Sequence, residues 1–255
     1  MEISNGVKIL YEDTDVVAVA KPAGLVTHSD GRTREATAED WFKEKYEGGL
    51  ASPEPCGGGY AHRLDRDTSG VLVFAKNTMA HEFLRKAFHN REVKKTYLAF
   101  VYGVPKQKKG IIDFDIGRSR SDFRLRSAQP KAKGRLRDAL TLYEVVGEAD
   151  GYALMKLMPE TGRTHQIRVH LKAIHHPVVC DPLYAPGLSK SGAIGNKPQS
   201  RGTPNLGITR LGLHAYSLDL PLPSGERVLI TAPIPSDLAP AFQNFQNVSE
   251  KFALL

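Results

Sequence analysis

The sequence predicts an α+β fold: a mainly antiparallel mixed sheet with flanking helices and loops. Short runs rich in β-branched and aromatic residues outnumber helical stretches, and several alternate apolar with polar residues, as half-buried strands do. Strands and helices do not follow one another as βαβαβ. The glycines at 57–59 lack the spacing of a phosphate-binding loop. Together these observations argue against a doubly wound nucleotide-binding fold.

Eight runs are predicted as strands from their apolar or alternating pattern. They cover residues 16–20, 71–75, 96–102, 111–115, 141–146, 152–157, 213–220 and 227–231. Residues 123–126 (FRLR) alternate apolar and basic side chains, which predicts a basic strand or hairpin arm. In such a strand Arg124 and Arg126 lie on one face, with Phe123 and Leu125 on the other.

Three stretches are predicted as helices because apolar residues recur at three- or four-residue steps: 36–46, 79–89 and 238–255. Thr78 is the expected N-cap of the second helix. The segment 185–212 is rich in Gly, Pro, Ser and Asn, so it is predicted as a long loop excursion.

Length and composition favour a single domain over residues 1–255 with a sizeable core, since 41% of the residues are hydrophobic. No apolar run approaches the ~20 residues that span a bilayer. The first ten residues do not resemble a signal peptide. Cys56 and Cys180 form no CxxC pair, which argues against a zinc site or a disulfide framework. We therefore expect a cytoplasmic protein without a membrane partner.

Basic residues concentrate in the middle of the chain, in and around a predicted basic arm at 104–137. Residues 85–137 contain 16 Lys and Arg against 4 Asp and Glu, whereas the net charge of the whole chain is only +7. A basic middle on a mildly acidic body favours a face that binds a polyanion. A solvated basic surface is the alternative that charge alone leaves open.

The most informative segment is 62–70 (HRLDRDTSG), which leads directly into the apolar run 71–75. Five of its nine residues are ionisable, and burying charge is costly unless it is paired. The arginines on both sides of Asp65 offer that pairing and favour the ionised carboxylate. A turn with surface ion pairs is the competing interpretation of this composition.

A second basic segment, 159–171, combines a possible helix start at Thr164 with His165, Arg168 and Lys172 on one face. Free N–H groups at a helix start together with basic side chains suit an anion. An amphipathic helix with a basic solvent face is the alternative. The histidines at 165 and 170 lack carboxylate partners at metal-binding spacing, so no metal is expected.

Five ordered motifs resemble those of the RNA pseudouridine synthases, in the branch that modifies large-subunit ribosomal RNA and some transfer RNA. They are KPAG at 21–24 with His28, HRLDRDTSG at 62–70, KKTY at 94–97, TGRTHQIR at 161–168, and the later landmarks at 181–184 and 213–215. The resemblance runs through most of the chain. It implies the pseudouridine synthase catalytic fold and a cofactor-free isomerisation of uridine to its C-glycoside.

The resemblance also implies roles for three catalytic residues. Asp65 matches the catalytic aspartate, Tyr97 the active-site tyrosine, and Arg168 the arginine expected to pair with Asp65. The target uridine must leave its stack, and an aromatic ring would hold the uracil. The sequence leaves open whether Asp65 attacks the sugar or assists an elimination route.

Six further residues are expected to contact the substrate or the RNA backbone: Lys21, Arg63, Arg124, Arg126, Arg163 and His165. Arg63 is expected either to fill the gap left by the flipped base or to bind phosphate. For Lys21 a plain turn at a strand end is the alternative. The expected partner is RNA, and the expected state is a monomer.

Departures from the family pattern are few. Cys180 stands where the family usually has glycine, and Pro182 is also atypical. The family-like region begins near residue 7, so the small N-terminal RNA-binding domain of many relatives is expected to be absent. Two rival functions remain at this point: an RNA-binding protein that has lost catalysis, and a nucleoside or glycoside hydrolase using Asp65 and Asp67.

Overall fold

A computed structural model describes residues 6–29, 31, 35–46, 59–120, 122, 125–128, 130, 132–149, 151–188, 206–245 and 248. The chain divides into two compact units. The first unit comprises Met1–Lys95 and Ala215–Pro233, and the second comprises Thr96–His214 and Ile234–Leu255. A single domain over the whole chain stays a prediction, because two compact units can belong to one domain.

The first unit is built on paired strands, antiparallel in the β1–β2, β2–β3 and β11–β12 pairs. They are β1 (Lys8–Glu12), β2 (Val16–Lys21), β3 (Ser69–Ala75), most of β11 (Leu213–Pro221) and β12 (Arg227–Thr231), in the order β1-β2-β3-β11 with β12 beside β11. Strand β3 is buried along its whole length. Such burial explains its continuous apolar sequence.

Gly70 marks the point where the predicted catalytic turn enters β3. Its φ is +124°, and a Cβ at this position would overlap the backbone of Ala215. Only glycine lacks that Cβ and tolerates such a φ. The sequence around Asp65 is therefore joined to the sheet by a close approach of two backbones.

Two helices belong to the first unit. Helix α1 (Ala38–Lys45) begins after Thr37, whose side chain caps the amide of Asp40 in a reciprocal capping box. Helix α2 (Thr78–His89) is capped by Asn77, whose side chain accepts from the amide of Ala80. The predicted cap at Thr78 is wrong, because Thr78 is already the first helical residue.

The second unit contains two sheets. The larger has the order β4-β10-β9-β5 and the smaller the order β7-β6-β8. Their strands are most of β4 (Lys94–Tyr102), then β5 (Lys109–Asp113), β6 (Ile116–Ser119), β7 (Arg126–Ala128), β8 (Ala132–Arg137), β9 (Leu140–Ala149) and β10 (Tyr152–Pro159). Helices α3 (Gln166–Ala173) and α4 (Ala239–Phe242) complete the unit.

The eight runs predicted as strands and the helices predicted at 36–46 and 79–89 match observed elements, most with shifted ends. Of the predicted strand 123–126, only residues 125 and 126 are described, and β7 begins at Arg126. Strands β1, β6 and β8 were not predicted as such. The predicted helix 238–255 is reduced to the four residues of α4, and most residues beyond 245 lie outside the described part of the chain. Residues 189–205 of the predicted loop excursion also lie outside it.

Within the described residues, no helix is both long enough and apolar enough to cross a membrane.

Candidate active site

Asp65 lies in the turn that precedes β3, where its backbone carbonyl accepts the amide of Thr68 at 3.1 Å. Its side chain is partly exposed, and the neighbouring Arg63 and Arg66 are exposed. The carboxylate is thus presented at a surface by a hydrogen-bonded turn.

A loop after β2 holds this turn in place. The side chain of Thr27 donates to the carbonyl of Leu64 at 2.9 Å and accepts its amide at 3.2 Å. The amide of Gly24 donates to the carbonyl of Arg66 at 2.9 Å, and the Arg66 Nε returns a bond to the Gly24 carbonyl at 3.2 Å. The residues on both sides of Asp65 are therefore fixed by backbone hydrogen bonds.

Lys21 is part of this support, and its assignment as an RNA-binding residue stays a prediction. Its side chain is only 1% exposed. The ammonium donates to the carbonyls of Pro22, Leu25 and Arg66 at 2.7–3.0 Å. An ammonium has three N–H groups, and three carbonyls already take them. Buried Lys21 joins its own loop to the Asp65 turn.

His62 supports the same turn as a neutral ring. Its Nε2 accepts the amide of Val73 at 3.1 Å, and the ring stacks on Phe88 with 4.7 Å between centroids. Burial, together with the smaller effect of the nearby charge of Lys95, lowers the pKa of His62 to about 3. A neutral imidazole is the form that can accept the Val73 proton.

Tyr97 lies in β4 of the second unit, opposite Leu157 of β10. It is partly exposed, and it packs against a core cluster that includes Ala99, Met155 and Leu157. The backbone of Tyr97 is therefore held by a sheet, while part of its ring remains at the surface.

Arg168 is buried rather than solvent-facing, at 3% exposure. Its Nε and Nη2 donate to Asp181 Oδ2 and Oδ1 at 2.7 and 2.9 Å. Asp181 is completely buried and also accepts the amides of Leu183 and Tyr184. Paired burial of this kind is what makes a buried charge tolerable.

The pairing of Arg168 with Asp65 stays a prediction, because Asp65 belongs to the first unit and Arg168 to the second. A guanidinium has five N–H donors, so the fork to Asp181 is compatible with a second carboxylate. Asp181 was noted in the sequence only as a landmark. The ion pair joins residues 13 positions apart, which no local pattern reveals.

Helix α3 begins differently from the prediction. Its N-cap is His165, with φ 58° and no side-chain cap bond, so the cap expected at Thr164 is wrong. His165 Nδ1 lies 2.8 Å from the Tyr184 hydroxyl oxygen. Arg163 donates to the carbonyl and the carboxylate of Asp138 at 2.9 and 2.8 Å. Both predicted RNA-binding residues thus have protein contacts at the surface end of α3.

A buried hydrogen-bond network that the sequence did not predict fixes α3 to β9. Gln166 donates to the Thr141 hydroxyl at 3.0 Å and accepts from the Thr161 hydroxyl at 2.7 Å. His170 lies between Thr141 and the carbonyl of Phe114, 3.0 Å from each. Burial lowers the pKa of His170. The network orients the helix that carries Arg168.

The predicted basic arm contains the three-stranded sheet β7-β6-β8. Arg118 of β6 stands opposite Arg126 of β7 and Lys133 of β8. Residues in register on neighbouring antiparallel strands project to the same face, so three cations form a row. Within the described residues no carboxylate pairs with them. Arg124 lies outside the described residues.

Among the described residues, no group of three or more His, Cys, Asp or Glu could hold a metal ion.

The sequence profile of one family, described as RNA pseudouridylate synthase, matches residues 15–173. This span is more than half of the chain and contains Asp65, Tyr97 and Arg168. The chain belongs to this family.

Relatives of the synthase confirm the family over most of its length. An RNA pseudouridine synthase of Chlorobaculum parvum is 34% identical over 249 residues, which cover 95% of this chain and 75% of the relative. Ribosomal large subunit pseudouridine synthase D of Nitrosomonas europaea is 36% identical over 245 residues, covering 94% and 66%. The synthase is therefore an RNA-modifying isomerase.

Solved structures confirm the predicted fold class. Human RNA pseudouridylate synthase domain containing 1 matches the synthase with a TM-score of 0.70 and 27% identity, covering 90% of this chain and 84% of the other. Human RNA pseudouridylate synthase domain containing 4 gives 0.68 and 25%, covering 92% of each chain. The α+β prediction with a mainly antiparallel sheet is confirmed.

Proposed function

We propose that Asp65 is the catalytic carboxylate of the synthase, Tyr97 its stacking ring and Arg168 its positioning arginine. The single observation that carries the proposal is the construction of the Asp65 turn. Hydrogen bonds fix the backbone at Leu64 and Arg66, while the Asp65 side chain remains partly exposed. A carboxylate held in this way is ready for a reactant before the reactant arrives.

The reaction makes defined demands on these residues. The N1–C1′ bond of uridine breaks and a C5–C1′ bond forms, while a proton leaves C5 and N1 gains one. The isomerisation is balanced without an added reactant. Positive charge develops at the sugar as the first bond breaks, and a carboxylate such as Asp65 stabilises it or bonds to it.

Tyr97 suits the task of retaining the detached uracil. Its backbone position is fixed by β4, and part of its ring is exposed. A base stacked on an aromatic ring gains about 1–3 kcal/mol. That stabilisation allows the uracil to rotate in place before C5 reaches the sugar.

Arg168 suits the task of positioning a carboxylate because its own position is fixed. The fork to Asp181 restricts its guanidinium, and the Gln166 and His170 contacts restrict its helix. In this proposal Arg168 pairs with Asp65 in addition to Asp181. A charge-assisted contact of this kind keeps the aspartate ionised and aimed.

We propose that the three-stranded sheet β7-β6-β8, called the basic sheet below, binds RNA. Additional contacts are proposed for Arg63, Arg124, Arg163 and His165. The row formed by Arg118, Arg126 and Lys133 supports RNA binding by this sheet, since like charges placed side by side repel unless a polyanion lies across them. Arg163 and His165 lie at the surface end of α3 and would bind phosphate after rearranging their present contacts.

The proposed substrate is a uridine in structured ribosomal or transfer RNA. The relative from Nitrosomonas europaea is a large-subunit ribosomal RNA enzyme by name, so a large-subunit transcript is the first substrate to assay. Such RNA is assembled in the cytoplasm, where we place the enzyme as a monomer. Light scattering of the purified protein tests the oligomeric state.

The proposed role of Asp65 is tested by Asp65→Asn with Asp67→Asn as its matched control. Both changes remove one carboxylate from the same turn. We expect Asp65→Asn to abolish pseudouridine formation on large-subunit RNA, while Asp67→Asn stays within about tenfold of wild type. The assay digests the RNA and separates pseudouridine, uridine and free uracil.

Each outcome of this assay is informative. Turnover by Asp65→Asn within tenfold of wild type contradicts the assignment. If the wild type releases free uracil and both variants lose that activity equally, the protein is instead a glycosidic hydrolase that uses two carboxylates.

A further inference from the structure

Tyr184 lies between the helix that carries Arg168 and the sheet that carries Arg126. It is 3% exposed and belongs to a core cluster with Ile116, Ala128 and Val169. A buried tyrosine needs a partner for its hydroxyl, whereas its ring can pack on anything apolar or cationic. In this residue the ring and the hydroxyl contact different parts of the second unit.

The ring of Tyr184 lies beside the proposed positioning arginine. The Arg168 Cζ is 5.1 Å from the ring centroid, and the Lys172 Nζ is 5.5 Å from it. The Arg168 and Lys172 cations therefore both lie close to the ring of Tyr184. The amide of Tyr184 also donates to Asp181 Oδ1 at 3.0 Å, so the tyrosine contacts both members of the buried ion pair.

The hydroxyl of Tyr184 contacts the basic sheet. Its oxygen accepts the backbone amide of Arg126, the first residue of β7, at 3.0 Å. The same oxygen lies 2.8 Å from His165 Nδ1 and donates to that nitrogen when it carries no proton. Strand β7 is short, and among the described residues its register with β6 covers residues 126–128, next to a backbone bond from the Ser119 amide to the Leu125 carbonyl at 3.0 Å. The hydroxyl is therefore one of the contacts that hold the first residue of this strand.

We propose that Tyr184 is a positioning residue that couples RNA binding at the basic sheet to the orientation of Arg168. The ring restrains the guanidinium beside Asp181, and the hydroxyl fixes Arg126 in the row of cations. A phosphate bound across that row then acts on the same side chain that supports the arginine. The inference rests on the proposed function of Arg168 and the sheet.

Two substitutions separate the ring from the hydroxyl. Tyr184→Phe keeps the ring and removes both hydroxyl contacts, so it should raise the KM for RNA by up to about tenfold, with kcat within about twofold of wild type. Tyr184→Leu also removes the cation–π contact, so kcat should fall by at least about tenfold more.

The matched control is Tyr143→Phe, which removes a hydroxyl from another buried tyrosine of the same unit, 8% exposed in β9. We expect its KM and kcat to equal those of wild type. Near-ultraviolet circular dichroism at the assay temperature establishes that every variant is folded. Amide hydrogen exchange at Arg126 supplies a second readout, and it should quicken in Tyr184→Phe but not in Tyr143→Phe.

The coupling is overturned if folded Tyr184→Phe binds RNA as wild type does, or if Tyr184→Phe and Tyr184→Leu lower kcat equally without changing KM. Failure of the proposed function would give different results. In that case the wild type makes no pseudouridine, or removing the cations of the basic sheet leaves RNA affinity unchanged.

Discussion

The Asp65 turn and the Arg168 helix each present a charged residue, but they are built by opposite means. The turn is held mainly through hydrogen bonds to its backbone, from the Thr27 hydroxyl, the Gly24 amide and the Lys21 ammonium, together with a neutral His62 and a glycine. The helix is held by charge, because Arg168 and Asp181 are both buried and paired. A partly exposed carboxylate needs only a rigid backbone, whereas a buried guanidinium needs a counter-ion.

This difference between the turn and the helix predicts that removing a charge lowers the free energy of unfolding most at the helix. Asp181→Asn leaves the Arg168 charge buried without its carboxylate, which should lower the free energy of unfolding by about 3–5 kcal/mol. Turnover should fall with it, because the guanidinium loses its orientation. Urea unfolding and turnover at saturating RNA measure the two effects.

A double variant sharpens the same prediction. Arg168→Met with Asp181→Leu removes both charges, so most of the lost stability should return while turnover remains absent. Recovery of turnover in this double variant would mean that Arg168 serves only the stability of the fold.

Removing a neutral contact from the turn should have a smaller effect. Thr27→Val deletes the hydroxyl that bonds the Leu64 backbone at both its amide and its carbonyl, which should cost about 1–3 kcal/mol of unfolding free energy. Turnover should fall because Asp65 is less well fixed. Thr27→Ser keeps the hydroxyl and should retain both properties, and a Ser variant as impaired as the Val variant would contradict this account.

Because His62 is neutral in the folded state, the stability of the folded protein depends on pH. Its folded pKa of about 3 lies below the ordinary value of 6.5, so between these values only the unfolded state binds the proton. The stability that His62 contributes is complete above pH 6.5 and is lost as the pH falls from there towards 3. Wild type should lose about 2 kcal/mol between pH 6.5 and 5 from this group.

His62→Gln removes the titrating group and keeps an acceptor for the Val73 amide. Chemical unfolding at pH 6.5 and 5 should give a smaller loss of stability in this variant than in wild type. Equal losses in the two proteins would show that His62 does not titrate on unfolding in this range.

Cys180, which precedes Asp181, should give the smallest effect. Its φ of 57° is unfavourable for a residue with a Cβ, and its Sγ contacts the Ile208 carbonyl at 3.1 Å. Cys180→Gly removes the backbone strain, whereas Cys180→Ala keeps it. The Gly variant should be the more stable of the two by about 1 kcal/mol in thermal or urea unfolding. An Ala variant of equal or greater stability would contradict the strain.

The sequence predicted best the elements whose pattern is local. Strands β2, β3, β4 and β10 contain nearly continuous apolar runs, which are typical of buried strands. Strands β6 and β8 were not predicted because each contains glycine and basic residues, and because their pairing depends on the folded structure. Of the predicted C-terminal helix, only α4 forms within the described residues up to 245, because residues 243–245 leave the helix although Phe245 is buried.

The candidate site shows the same division. Asp65 and Tyr97 were identified through motifs, and Arg168 was identified without its principal counter-ion. The roles of Lys21, Asp181 and Tyr184 depend on contacts between distant parts of the chain, which spacing does not encode. The burial of Lys21 was not predicted because lysines usually face solvent, whereas here three carbonyls accept from its ammonium at the end of β2.

The central claim is a division of labour: the Asp65 turn performs the chemistry and the basic sheet binds the RNA. The most direct test is a salt titration of RNA affinity combined with single-turnover pseudouridine formation. The test compares Asp65→Asn with a triple alanine variant of Arg118, Arg126 and Lys133. A triple alanine variant of Lys8, Lys45 and Lys86, which are exposed in the first unit, is the charge-matched control.

Asp65→Asn should bind RNA within a few-fold of wild type, with the same salt dependence and no product. The basic-sheet variant should lose about 2–3 from the slope of log affinity against log salt, with near-normal single-turnover rates at saturating RNA. The control should keep both properties. Product formation by Asp65→Asn, or an unchanged slope in the basic-sheet variant, would contradict the account.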